Sequence, residues 1–199
     1  MYERIHPDEI NALPLIFFEG EIIIVESPEQ EEEAYLEIMD SDNILGFDTE
    51  SKPVFKKGIT QRLALIQLCN GQKTWLYRVH KTGISKRLQQ ILTNENIFKV
   101  GLATADDGKK INHDFGFSPQ GLYDISNLSA ECGYKENGLR NLAARVLGGR
   151  ISKAQQTSNW ENEELTEAQQ LYAATDAWLG RELYFSLISE KMAGNYDEV

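Results

Sequence analysis

Cysteine is scarce in this chain of 199 residues: Cys69 and Cys132 are the only two, and they share no metal-ligand spacing. That excludes a disulfide framework and a thiolate zinc site, and leaves two reduced, packed thiols as the expectation. Long apolar runs are missing as well. No stretch reaches the roughly 20 residues that a membrane-crossing helix needs. Asp8, Glu9 and Pro14 interrupt the first segment, so no apolar leader opens the chain. A soluble, cytoplasmic protein without a membrane partner is expected. Positive charge is in deficit too, with 20 Lys and Arg against 31 Asp and Glu and a formal net charge of -11. A long footprint on duplex nucleic acid, which needs many cations to neutralise phosphates, is therefore disfavoured. The three histidines, His6, His80 and His113, fall in no chemical pattern, and surface or packing roles are expected for them.

A hydrophobic fraction of 41% suits one globular domain over residues 1–199, large enough to bury about 70% of the surface of its unfolded chain. Elements of both types alternate along it. Residues 21–25, 44–48, 63–68, 74–79 and 97–100 read as strands, with a turn at Asn70-Gly71 and a further short strand at 122–125. The second, third and fourth of these form a meander in this reading. Ser27 and Pro28 open a helix running to about Met39, with Gln30 completing a capping box. Further helices are expected at 85–92, from Asp106 toward Phe115, and at 138–147, where Gly148-Gly149 supplies a stop. Thr166 and Gln169 cap a last long helix whose Leu171, Ala174, Trp178 and Leu183 make a core stripe. The pattern predicts an α/β domain with a mixed sheet flanked by helices.

The chemistry lies in acids delivered from separate segments. Asp48 and Glu50 end the apolar run ILGF, and strand geometry turns both carboxylates to one side. An Asp-x-Glu pair alone carries little information, but acids ending an apolar strand bear a desolvation and repulsion cost that a metal partner would relieve. Asp107 follows another short apolar run. Tyr172 and Asp176, four apart on the last helix, share a face. Four carboxylates and a phenol are the inventory for holding two divalent cations and aiming a water at phosphorus. Oxygen-only ligands suit Mg2+ or Mn2+. Lys52, Lys56, Lys57 and Arg62 follow the first acidic motif, and Lys109 and Lys110 follow Asp107. Short basic clusters of this kind are compatible with weak binding to a short stretch of phosphate backbone.

The segments GFDTE, VGLATADDGKKI with the following DFGF, and LYAATD match in order and spacing the three motifs of the DEDD superfamily of 3'-5' exonucleases, in the subgroup whose third motif is Tyr-x-x-x-Asp. LALIQL and the SNW of residues 158–160 resemble the Werner-helicase exonuclease branch, and ribonuclease D more distantly. The likeness spans about residues 18–187 and implies a ribonuclease H-like fold and a stand-alone exonuclease module. It further implies that Asp48 bridges two metals, that Glu50 and Asp176 complete the site of the water-activating metal, and that Asp107 supports the second, largely through water. Tyr172 would hold or help deprotonate the nucleophile. Asp107 is preferred over its neighbour Asp106, which is expected to cap the helix. The family fold places strand-separating residues near the first motif, so Thr49 and Phe55 are candidate substrate contacts, with Trp160 a third. Lys52, Lys56 and Lys57 would follow the incoming strand. The expected substrates are nucleic-acid 3' ends, DNA by the nearer branch, with RNA trimming of the ribonuclease D kind as the alternative. A catalytically silent binding module is a third reading, which the intact set of acids disfavours.

Overall fold

The computed structural model describes residues 4–53, 61–135 and 138–194. After a short helix α1 (Pro7–Ala12), the chain runs through β1 (Glu21–Val25), α2 (Pro28–Asp40), β2 (Ile44–Ser51), β3 (Leu63–Cys69) and β4 (Lys73–Tyr77). There follow α3 (Val79–Thr82), α4 (Lys86–Thr93), β5 (Phe98–Gly101), α5 (Thr104–Phe115), β6 (Leu122–Asp124), α6 (Ile125–Glu131), α7 (Leu139–Val146) and α8 (Glu167–Gly194). The six strands form one sheet in the order β1-β4-β3-β2-β5-β6. β2, β3 and β4 are the antiparallel meander, while β1 joins β4, and β5 and β6 extend from β2, in parallel. The result is an α/β domain with a mixed sheet.

Period-two alternation along β2 sorts its side chains onto two covered faces. Leu45 and Phe47 join a large core with Ile66, Leu68, Trp75 and Tyr77, closed by Ala34 and Ile38 of α2, Leu88 and Ile91 of α4 and Ile111 of α5. On the opposite face Leu65, Leu76 and Cys69 pack under Ala173, Ala174 and Ala177 of α8. Every residue of β3 is buried, as two-sided cover requires. The expected α8 stripe is partly right: Ala174 and Leu183 are fully buried, whereas Leu171 and Trp178 are half-buried. Alanines carry the contact because α8 lies so close to the sheet. A Cβ on Gly46 would stand 2.0 Å from the Ala177 carbonyl oxygen, and one on Gly180 would stand 2.6 Å from that of Val100.

Local chemistry accounts for the departures from the sequence reading. β4 stops at Tyr77 rather than Val79 because Arg78 leaves the extended region (ψ 64°) and opens α3, which ends on Gly83 at φ 69°. α5 starts at Thr104, not Asp106, behind Ala103 in the left-handed region at φ 56°. Asp106 is therefore not the cap; its carboxylate accepts from Lys109 Nζ at 2.7 Å. At α2 the Ser27 hydroxyl accepts from Gln30 N, but the Gln30 side chain reaches Glu26 N instead of closing a box on Ser27. The Thr166–Gln169 box at α8 is complete in both directions.

The close approach of α8 to β2 is testable. Gly46→Ala should lower unfolding free energy by about 1–3 kcal/mol, the usual cost of overpacking. Equilibrium urea denaturation reads this directly, and an unchanged midpoint would show that α8 does not seat on the β2 backbone.

Candidate active site

The carboxylates meet where β2 leaves the centre of the sheet. Asp48 and Glu50 point to the α8 face, and Asp176 arrives from the third turn of α8. One carboxylate oxygen from each of these three lies within 4.8 Å of the others. Thr49, between the two acids in sequence, must face the other way, and there it meets Asp107 from the first turn of α5. Its hydroxyl donates to Asp107 Oδ1 at 2.6 Å, and Lys110 Nζ, one turn on, stands 3.3 Å from the same oxygen. The centre thus straddles the strand end, with one helix supplying an acid from each face.

Burial dominates the electrostatics. Asp48 is pushed well above the usual carboxylate range, first by desolvation, then by the charges of Asp176, Asp107 and Glu50, while the Thr49 amide opposes the shift. Glu50 rises to about 8, through burial and then Asp176, with Lys110 pulling the other way. Asp176 rises to about 7 through burial, opposed by the hydrogen bond from the Tyr172 hydroxyl. Burial raises Asp107 as well, opposed by the hydrogen bond from Thr49 and by Lys110, which both favour its charged form. The Tyr172 phenol is held above its ordinary range by burial and by Asp176, so it is a neutral donor to that acid. Such a set of half-buried and buried oxygen donors, short of positive charge, fits a hard divalent cation such as Mg2+ or Mn2+.

The other sequence candidates fall in different places. Asp107 rather than Asp106 reaches the centre: it is 6% exposed, while the Asp106 side chain is 70% exposed. Trp160 is not a substrate contact, being fully buried; its ring packs behind Tyr172 with centroids 6.0 Å apart. Thr49 is 7% exposed, and its hydroxyl donates to Asp107. Lys52 is exposed but ion-paired to Glu161 at 2.9 Å. Phe55, Lys56 and Lys57 lie outside the described residues. The positioning roles of Thr49 and Lys110 were not anticipated, although strand alternation and the i, i+3 spacing from Asp107 carry the signal for each.

Residues 22–191 match the model of a family described as 3'-5' exonuclease. The bifunctional 3'-5' exonuclease/ATP-dependent helicase WRN of Mus musculus is 33% identical over 186 residues, covering 88% of this chain but 13% of that protein. Among solved structures, the Nibbler EXO domain of Aedes aegypti superposes with a TM-score of 0.79 at 20% identity, over 92% of this chain and 94% of that one. Escherichia coli RNase D gives a TM-score of 0.76 at 25% identity, over 89% of this chain and 46% of that one. The architecture is that of the ribonuclease H-like exonuclease folds. The chain belongs to the 3'-5' exonuclease family.

A folded-state rise in carboxylate pKa means that the native protein binds more protons than the unfolded one. Metal-free stability should therefore be fullest below about pH 4 as far as these groups are concerned. It should decline from there as pH rises and level off past about 7 and 8, where Asp176 and Glu50 ionise in the folded state. Millimolar Mg2+ should flatten that decline. Melting curves between pH 5 and 9 with and without Mg2+ test this, and a metal-independent profile would contradict it. At the alkaline end of that range, where the cluster ionises, Asp48→Asn should also raise the metal-free melting temperature by removing one of the repelling charges.

Proposed function

We propose that this chain is a 3'-5' exonuclease that removes terminal nucleotides from DNA by two-metal-ion hydrolysis of the phosphodiester. The observation that carries the reading is the convergence of Asp48, Glu50 and Asp176 within 4.8 Å, with Asp107 tethered alongside through Thr49. Asp48, Glu50 and Asp176 would hold the cations, with Asp107 assisting. Bound there, two divalent ions would stabilise the attacking and leaving oxygens of an in-line displacement and make water a better nucleophile near neutral pH.

The protein's own groups prepare that step. The Tyr172 hydroxyl is anchored to Asp176 and backed by the Trp160 ring. A neutral phenol in this setting orients the attacking water through its oxygen and is a poor base, so holding is its role rather than proton abstraction. Thr49 fixes the Asp107 carboxylate in rotation. Lys110, 44% exposed at its side chain, favours the ionised form of Asp107 and partly offsets its charge.

DNA is preferred through the likeness to the Werner-helicase exonuclease branch, supported by 33% identity across most of the chain. RNA is the second reading, favoured by the fold shared with E. coli RNase D, described as an exoribonuclease involved in structured RNA processing. Purified protein with Mg2+ or Mn2+ should shorten matched 5'-labelled strands from the 3' end, DNA faster than RNA; the reverse order would select the second reading. Asp48→Ala should reduce cleavage by about 10³-fold or more, since it removes charge stabilisation worth several kcal/mol. Retained cleavage would remove the proposed chemistry. Tyr172→Phe should lower kcat by at least about tenfold with a smaller change in KM, the signature of an interaction made in the transition state.

A further inference from the structure

β3 is covered on both faces, and apart from Cys69 its residues 63–69 are apolar with a single exception. That exception is Gln67. It is 0% exposed, and neither its amide nitrogen nor its amide oxygen has a hydrogen-bond partner among the described residues. A primary amide taken out of water and left unpaired weakens the fold, whereas leucine or methionine at the same place would strengthen it. Packing therefore does not account for this residue.

The sheet register shows what stands beside it. Alternation along β3 puts Gln67 on the face of Leu65 and Cys69, beneath Ala173, Ala174 and Ala177 of α8. Its partner on β4 is Leu76, and its partner on β2 is Asp48. Residues directly opposite in an antiparallel pair share a face with Cβ atoms roughly 4.5–5.5 Å apart. A glutamine amide nitrogen lies three bonds beyond its Cβ, so the Asp48 carboxylate is within its span.

The acids of the centre also differ in what steadies them. Asp107 accepts from the Thr49 hydroxyl at 2.6 Å, and Asp176 accepts from the Tyr172 hydroxyl. At Asp48 the Thr49 amide favours the charged form, and no side-chain donor joins it among the described residues. An unpaired donor and an acid lacking such a donor thus face each other on adjacent strands.

On the reading of the centre as that of a metal-dependent 3'-5' exonuclease, we propose that Gln67 is a positioning residue: with Asp48 ionised and cations held, Gln67 Nε2 donates to the Asp48 carboxylate oxygen turned away from them and fixes the rotation of that carboxylate. A neutral donor suits the place. It favours the ionised acid and sets its orientation without the positive charge by which lysine or arginine would compete with a divalent cation. The amide gains its partner in the same event, so metal loading and the ordering of Gln67 are linked.

Two measurements that do not depend on cleavage test this. Gln67→Met and Gln67→Leu fill a similar volume without a donor. Both should leave the metal-free urea midpoint unchanged or higher, and both should weaken Mn2+ binding, read by titration calorimetry, by about tenfold or more, the usual effect of removing a hydrogen-bond partner of a metal ligand. Wild-type Mn2+ affinity in either variant overturns the proposal. A midpoint lowered in both assigns the amide to the metal-free fold and overturns it as well. In the second measurement the side-chain amide protons of Gln67 are followed by NMR in isotope-labelled wild-type protein, assigned through the carbons of the same side chain, as Mg2+ is added. One proton of the pair should move downfield of its twin in step with metal saturation, and a pair that stays in place through saturation overturns the proposal. Wild-type protein that gives both metal responses but cuts no strand would sink the exonuclease reading and leave the contact between Gln67 and Asp48 standing; cleavage by wild type with an unmoved amide would do the reverse.

Discussion

Mutual repulsion among buried carboxylates is the condition around which this domain is arranged. Asp48, Glu50 and Asp176 would separate if the backbone allowed it, because like charges within a few ångströms in a poorly hydrated place raise one another's pKa and weaken the fold. They are kept together by elements whose stability comes from elsewhere. β2 is held on both sides by β3 and β5, its residues Leu45 and Phe47 are fully buried, and α8 is a helix of 28 residues covering the sheet. The acids occupy the end of that assembly, where the apolar burial is already complete.

Close backbone packing sets where α8 lies, and with it Tyr172 and Asp176. The absence of side chains at Gly46 and Gly180 lets the helix descend onto the strands, and the alanine run at 173, 174 and 177 keeps it there. Behind the phenol, the loop carrying Trp160 is tied from several directions. The Arg78 guanidinium, almost fully buried, donates to the carbonyls of Asn162 and Glu163; Gln169 Nε2 donates to Ser158 and Asn159; Lys52 pairs with Glu161. Hydrogen bonds from so many directions restrict the loop even though Arg78 Nε and Trp160 Nε1 have no partner in the fold. A ring contact to Tyr172 made from such a loop restricts the phenol without touching the space in front of it.

Much of this was legible in the chain because its signals are local. The strands of the meander, the Asn70-Gly71 turn and the Thr166–Gln169 box follow from alternation and capping, which involve neighbours in sequence. The motif acids were legible for a different reason, their order and spacing. Three things were not. The start of α5 depends on Ala103 adopting a left-handed conformation that alanine disfavours, so composition pointed two residues too late. The arrest of β4 depends on Arg78 turning toward a loop more than 80 residues away. Trp160, adjacent to a polar, Asn- and Glu-rich stretch, has the sequence context of a surface aromatic, and only tertiary packing beneath Tyr172 reveals it as core. In the last two cases a long-range partner outweighed the local preference.

The acidic balance of the chain bears on how a polyanion could be held at all. Many of its cations are engaged within the fold: Lys73 with Glu21 and Glu37, Lys81 with Glu26 and Glu163, Arg181 with Asp42, Lys109 with Asp106, Lys191 with Glu131. A net charge of -11 disfavours the sequence-independent phosphate contacts that give long, salt-sensitive footprints. On the reading proposed above, such a chain would draw its affinity from the terminus itself, through divalent cations held by the acids at the scissile phosphate, and the attraction would be confined to the end of a strand.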